Sequence, residues 1–171
     1  MKFNPAVFIA LLIITVSLAG FVGCNTTELL DEPEEVKLLQ KVFSEAVYYQ
    51  YDEGAEIYTV YNAGQNMLGY AFLGSGEGRN DEVIILIGLE DKETIKAISV
   101  ISHKEQQCVG EYAVPLELGY FVTDFIGLKI DDCDLEKYDG QVDGVTGATE
   151  SSKAIVDIVR QTALQKAEYI N

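Results

Sequence analysis

Seven consecutive residues, Asp143, Gly144, Val145, Thr146, Gly147, Ala148 and Thr149, carry the clearest chemistry in the chain. Two glycines and an aspartate mark a loop. The apolar spacing that follows at Ile155, Val159, Ala163 and Ala167 predicts a helix over residues 150–167. Thr149 therefore falls at a helix start, where threonine is a good cap, and Ser151 and Ser152 extend a hydroxyl-rich first turn. A helix start offers unpaired N–H groups and the positive end of the helix dipole, so a phosphate held there is stabilised. A hydroxyl on that loop edge, with Gly147 and Ala148 keeping bulk away, suits a phosphate-bearing group attached as an ester.

Other chemically capable residues are sparse. His103 is the only histidine; it is either a proton-transfer group or a structural side chain. Residues 74–78, Gly-Ser-Gly-Glu-Gly, read as a flexible hairpin loop rather than a phosphate cradle, because no helix follows them. The run Asp131, Asp132, Cys133, Asp134 lacks the ligand spacing of a calcium loop. Without a Cys-x-x-Cys pair, and with one histidine, no metal site is expected. No catalytic cluster is expected either. Cys108 and Cys133 are either a disulfide pair or two separately buried thiols.

The elements that must position the motif follow from periodicity. Val36, Leu39, Val42, Phe43 and Val47 keep helical spacing, which predicts an amphipathic helix of roughly three turns. Residues 57–61 and 68–73 are rich in β-branched and aromatic side chains and flank an Asn62-Ala63-Gly64-Gln65-Asn66 turn; residues 83–89 and 95–101 form a second hairpin around 90–93. Residues 116–126 are expected as a helix weakened by Gly119, and residues 127–140 as loop with a short strand at 128–130. The expected fold is α+β: an antiparallel sheet of hairpins flanked by helices, in one domain behind an N-terminal membrane anchor.

That anchor is read from residues 1–23, where Lys2 is followed by a nearly unbroken apolar run from Ala6 to Val22. The run stands at the short limit for spanning a bilayer. Phe21-Val22-Gly23-Cys24 resembles the bacterial lipobox, which would make Cys24 a lipidated first residue; the alternative is an uncleaved transmembrane helix. Either anchor places the bulk of the chain outside the cytoplasmic membrane. Residues 24–35 form an acidic linker and 36–171 the folded domain. The chain has 171 residues and a net charge of −16, which excludes nucleic acid as a partner and argues against a domain lying flat on anionic lipid.

The stretch 143–149 matches D-x-x-[ST]-G-A-T and so resembles the FMN-binding domain found in the G subunit of Rnf complexes and the C subunit of sodium-pumping NADH:quinone reductases. Residues 39–46, Leu-Gln-Lys-Val-Phe-Ser-Glu-Ala, resemble the family's first helix, and Gly69-Tyr70-Ala71-Phe72 its GYAF strand. Ser102-His103-Lys104-Glu105 resembles the start of the family loop S-H-x-E-T-P-G-L-G, after which residues 106–110 depart from it. The resemblance implies covalent FMN on Thr149, placed by a flavin transferase, with Asp143, Thr146, Gly147 and Ala148 as the recognised context; Gly144 in the loop and Ser151 and Ser152 in the first turn are expected beside the cofactor. The resemblance brings His103 and Glu105 near the flavin ring. It further implies electron relay with redox protein partners or within a membrane electron-transport complex, as a G-like subunit or a stand-alone carrier. The alternative is a lipoprotein of the same fold that binds a partner without flavin.

Overall fold

The computed structural model describes residues 29–78, 82–103 and 119–170. The anchor, Cys24, Glu105 and Cys108 lie outside the described residues. No helix among the described residues is long and apolar enough to cross a membrane.

Five strands run as a meander, each antiparallel to the one before: β1 (Tyr48–Asp52), β2 (Ile57–Tyr61), β3 (Met67–Glu77), β4 (Glu82–Leu89) and β5 (Ile95–Ser102). The turns carry the chemistry expected of them. Asn62 Oδ1 accepts from the N–H groups of Gly64 and Asn66, and Asp91 Oδ1 from those of Glu93 and Thr94. These side chains stand in for backbone acceptors and hold each reversal. Strand β4, Glu-Val-Ile-Ile-Leu-Ile-Gly-Leu, is nearly continuously buried because both faces of the sheet are covered. Val83, Ile85, Ile87 and Leu89 belong to one core, and Leu86 to a second on the other face.

The first core is roofed by α3 (Thr149–Ala167), which buries Ile155, Val156, Ile158, Val159 and Ala163. Helix α2 (Gly119–Thr123) and the turn after it add Phe121 and Phe125, packed edge to face. The second core is closed by α1 (Pro33–Leu39) and the turns after it, through Leu39, Val42, Phe43 and Ala46. The result is a sheet between helical layers, the α+β arrangement expected.

Several expectations are corrected. Residues 74–78 are no loop: β3 continues to Glu77. Its glycines mark the line where α3 lies against the sheet, since a Cβ on Gly74 would sit 2.8 Å from Thr162 Oγ1 and one on Gly76 2.7 Å from Ile158 Cγ1. The first helix ends at Leu39, short of the three turns that the spacing out to Val47 predicts, and it opens on Pro33 and the acidic residues that suit a first turn. Lys41 N–H bonds to Leu38 O and Val42 N–H to Leu39 O, a tightened register that ends the helix, and the Gln40 amide donates to Ala46 O to seal the bend. This leaves residues 48–52 free to form β1, a strand the helical spacing had hidden. The acidic linker also joins the fold, because Leu30 and Tyr49 exchange both backbone bonds at 2.8 Å.

The helix expected over 116–126 is reduced, within the described residues, to α2. Its last turn is closed by Thr123 Oγ1 donating to Tyr120 O, and Gly127 then takes a left-handed φ of 76°. Residues 128–130 do not form a strand. Lys129 makes one isolated bridge to Thr94, and a 3-10 turn, Ile130–Asp132, follows.

Candidate functional site

The motif is a turn whose apolar residues point inward and whose polar ones point out. Val142, Val145 and Ala148 are buried, while Asp143, Thr146, Gly147 and Thr149 are exposed. Ala148 N–H bonds to Val145 O at 2.9 Å, and Gly147 adopts φ 80°. A reversal closed between the first and fourth residues with positive φ at the third selects glycine there, as in a type II turn. Gly147 thus has a conformational reason that residue type alone did not supply. Asp143 is tied at the other end, its N–H donating to Asp124 Oδ2 at 3.1 Å.

Thr149 is not the cap of the helix, as the sequence suggested. Ala148 occupies the cap position and Thr149 is the first helical residue. The fastening is done by Ser152 instead. It is fully buried, and its hydroxyl accepts the Val145 N–H at 3.1 Å. That bond reaches back from the first turn of α3 and satisfies an amide that the turn would otherwise bury unpaired. Ser151 is buried as well. The hydroxyl-rich first turn is therefore divided: two serines face inward and Thr149 faces out.

Beside Thr149 opens a groove of about 580 Å³. The start of α3 lines it with Thr149, Glu150, Lys153, Ala154 and Asp157; Lys137 and Tyr138 come from the 3-10 turn Glu136–Tyr138. That turn is held by a compact loop. Gly140 N–H bonds to Leu135 O, Glu136 N–H to Val142 O, and Val142 N–H to Asp134 O. Asp139 accepts a left-handed φ of 64°, and a Cβ on Gly140 would run into the Asp134 carbonyl. Both ammonium groups lie over the Tyr138 ring, Lys137 Nζ at 5.3 Å and Lys153 Nζ at 5.7 Å from its centroid.

Charge in this region is organised. Lys153 pairs with Asp157 and with Asp134 at 3.4 Å, and Arg160 meets the other Asp134 oxygen at 3.5 Å. Partial burial works to lower the Lys153 pKa, but the Asp157 bond and the charges of Asp157 and Asp134 outweigh it and raise it. Beneath this cluster Cys133 is a free, fully buried thiol that burial pushes up to about 12. It is an inert core residue at neutral pH.

His103 follows the end of β5, half-buried, and its Nδ1 is buried without a hydrogen-bond partner among the described residues. Among the described residues no group of three His, Cys, Asp or Glu side chains could hold a metal ion. Sequence reasoning missed Asp124, Lys137, Tyr138, Gly140 and Lys153. Only Lys153 carried a readable signal: it stands four residues after Thr149, on the same helical face.

Residues 78–164 match the FMN-binding domain family. The G subunit of the ion-translocating oxidoreductase complex of Methanosarcina acetivorans is 27% identical over 141 residues, covering 76% of this chain and 73% of that one. Its namesake in Vibrio cholerae is 24% identical over 182 residues, covering 92% and 84%. The crystal structure of Shewanella oneidensis NqrC superposes with a TM-score of 0.51 at 16% identity, over 66% of this chain and 60% of that one. At that identity the likeness speaks to the fold alone.

Proposed function

The chain belongs to the FMN-binding domain family, and from that premise we propose that it is a membrane-anchored, extracytoplasmic flavoprotein carrying FMN esterified to Thr149 and relaying electrons. The observation that carries the proposal is the exposed Thr149 hydroxyl, which closes the D-x-x-[ST]-G-A-T turn and borders an open groove. The residues present fit a phosphate-bearing aromatic cofactor. The helix start and two lysines offer positive charge, Tyr138 offers a ring, and the small residues Gly147 and Ala148 leave the acceptor approachable.

Attachment needs a flavin transferase and FAD. The Thr149 oxygen forms a bond to the phosphorus of the FMN half, the diphosphate bond breaks, AMP leaves, and the hydroxyl proton passes to a base of the transferase or to solvent. The turn presents the hydroxyl, and the Ser152–Val145 bond keeps that turn rigid. The bound flavin supplies the redox chemistry, while the protein supplies position and electrostatics. The net charge of −16 favours a positively charged redox partner, with an association that weakens as salt rises. The protein serves in an ion-translocating complex, as a G-like subunit, or as a stand-alone carrier, anchored by a lipid on Cys24 or by an N-terminal helix.

Co-expression with a flavin transferase tests this. A denaturing gel is expected to show a fluorescent band for the wild type and for Thr149→Ser, and none for Thr149→Ala. A colourless wild-type band despite an active transferase overturns the proposal in favour of a non-flavin binding module.

A further inference from the structure

We propose that Tyr138 is the seat on which the flavin carried by Thr149 rests, and that Lys153 neutralises the phosphodiester; this rests on the reading of Thr149 as the acceptor. Tyr138 is 47% exposed, yet the backbone beneath it is tightly specified. Asp139 is left-handed, Gly140 admits no side chain, and Gly140 N–H and Tyr138 N–H both bond to Leu135 O. Burial does not explain holding a large ring at the surface in this way. A ligand that packs on it does.

The groove suits this occupant in size, and its lining balances Lys137 and Lys153 against Glu150 and Asp157, so it is neutral in a strongly acidic chain. Its volume of about 580 Å³ lies within the range of small-molecule sites, roughly 300–1,000 Å³. The chain has 28 acidic residues against 12 Lys and Arg, yet two lysines converge on this one exposed ring. Residues four apart on a helix are neighbours, with Cβ atoms about 5–6 Å apart, so an ester on Thr149 lies within reach of the Lys153 ammonium. Asp157 and Asp134 hold that ammonium over the groove, and an aromatic ring beside Tyr138 gains an offset-stacked contact. Tyr138 and Lys153 act through contact with the cofactor.

The flavinylated wild type, Tyr138→Leu, Tyr138→Trp and Lys153→Gln decide the question by flavin emission and midpoint potential. Denaturing gels of the same samples report attachment. A tyrosine stacked on flavin quenches its emission by electron transfer, so the folded wild type is expected to be several-fold dimmer than the same protein in urea. Tyr138→Leu is expected to be bright when folded, Tyr138→Trp to stay dim, and Lys153→Gln to show a lower midpoint potential because a positive charge near the flavin is gone. If Tyr138→Leu attaches flavin fully and stays as dim as the wild type, the ring rests elsewhere and the seat is overturned while Thr149 stands. An unchanged potential in Lys153→Gln overturns the role of that residue. A wild type that takes no flavin overturns this proposal and the assignment of Thr149 together.

Discussion

In the sheet, β3 and β4 are paired through successive residues from Tyr70 with Leu89 to Glu77 with Glu82, and both strands send apolar side chains into the core on either face. The segment from residue 128 to 149 has no such ladder. It gets its shape from single contacts: the Thr94–Lys129 bridge, the Leu135–Val142 bridge, Gly140 against Asp134, Asp143 on Asp124, and Val145 on Ser152. The sheet spreads its stability over many equivalent interactions, so each is dispensable. The connector also buries Leu128, Ile130, Leu135, Val142 and Val145, but the contacts that place Thr149 and Tyr138 within it are few and each of a different kind. Position at this site is thus more fragile than the fold that carries it.

The comparison is broken most severely at Gly140. Gly140→Ala drives a Cβ into the Asp134 carbonyl, and overpacking of this kind costs about 1–3 kcal/mol or more. The expected result is a lowered Tm together with loss of flavin attachment, read by calorimetry and by in-gel fluorescence. Normal attachment in Gly140→Ala would show that the loop has room that the close approach denies. Ser152→Ala comes next. It leaves the Val145 N–H buried without an acceptor, at a cost of about 1–3 kcal/mol, and denaturant unfolding is the measurement.

Asp91→Ala in the sheet is the smallest. It removes the acceptor of two N–H groups at an exposed turn, where water replaces it, so about 0.5–1 kcal/mol is expected with attachment unchanged. The backbone bond from Glu93, opposed by partial burial and aided by Thr94 and Lys129, holds the Asp91 carboxyl below its ordinary value. A depressed carboxyl contributes stability that is present above its unfolded pKa and lost as pH falls through the folded one. The difference between Asp91→Ala and the wild type should accordingly vanish in strong acid. A loss at Asp91 equal to that at Ser152 would erase the distinction between the two regions.

Legibility in the sequence followed the same division. The hairpins at 57–73 and 83–101 and the helix over 150–167 were readable because their side chains repeat with the period of the backbone and their turns use Asn, Asp and Gly locally. Strand β1 was hidden because Val42, Phe43 and Val47 continue a helical spacing that the Gln40–Ala46 contact interrupts. Residues 74–78 misled because the glycine pattern of a loop is also that of a strand lying close under a helix. At the site, the motif from Asp143 to Thr149 was visible by residue type, whereas Tyr138, Lys137 and Asp124 were not. They belong to a segment without periodicity.

By itself, the sequence determined the antiparallel hairpins, the final helix and the hydroxyl at its start, since each depends on residues within a few positions of one another. Tertiary structure alone decided that Thr149 faces out while Ser152 turns in to hold Val145, and that Tyr138 stands with Lys137 and Lys153 beside the acceptor. Those outcomes depend on which backbone groups are buried, on close approaches such as Gly140 to Asp134, and on contacts between segments that have no common period.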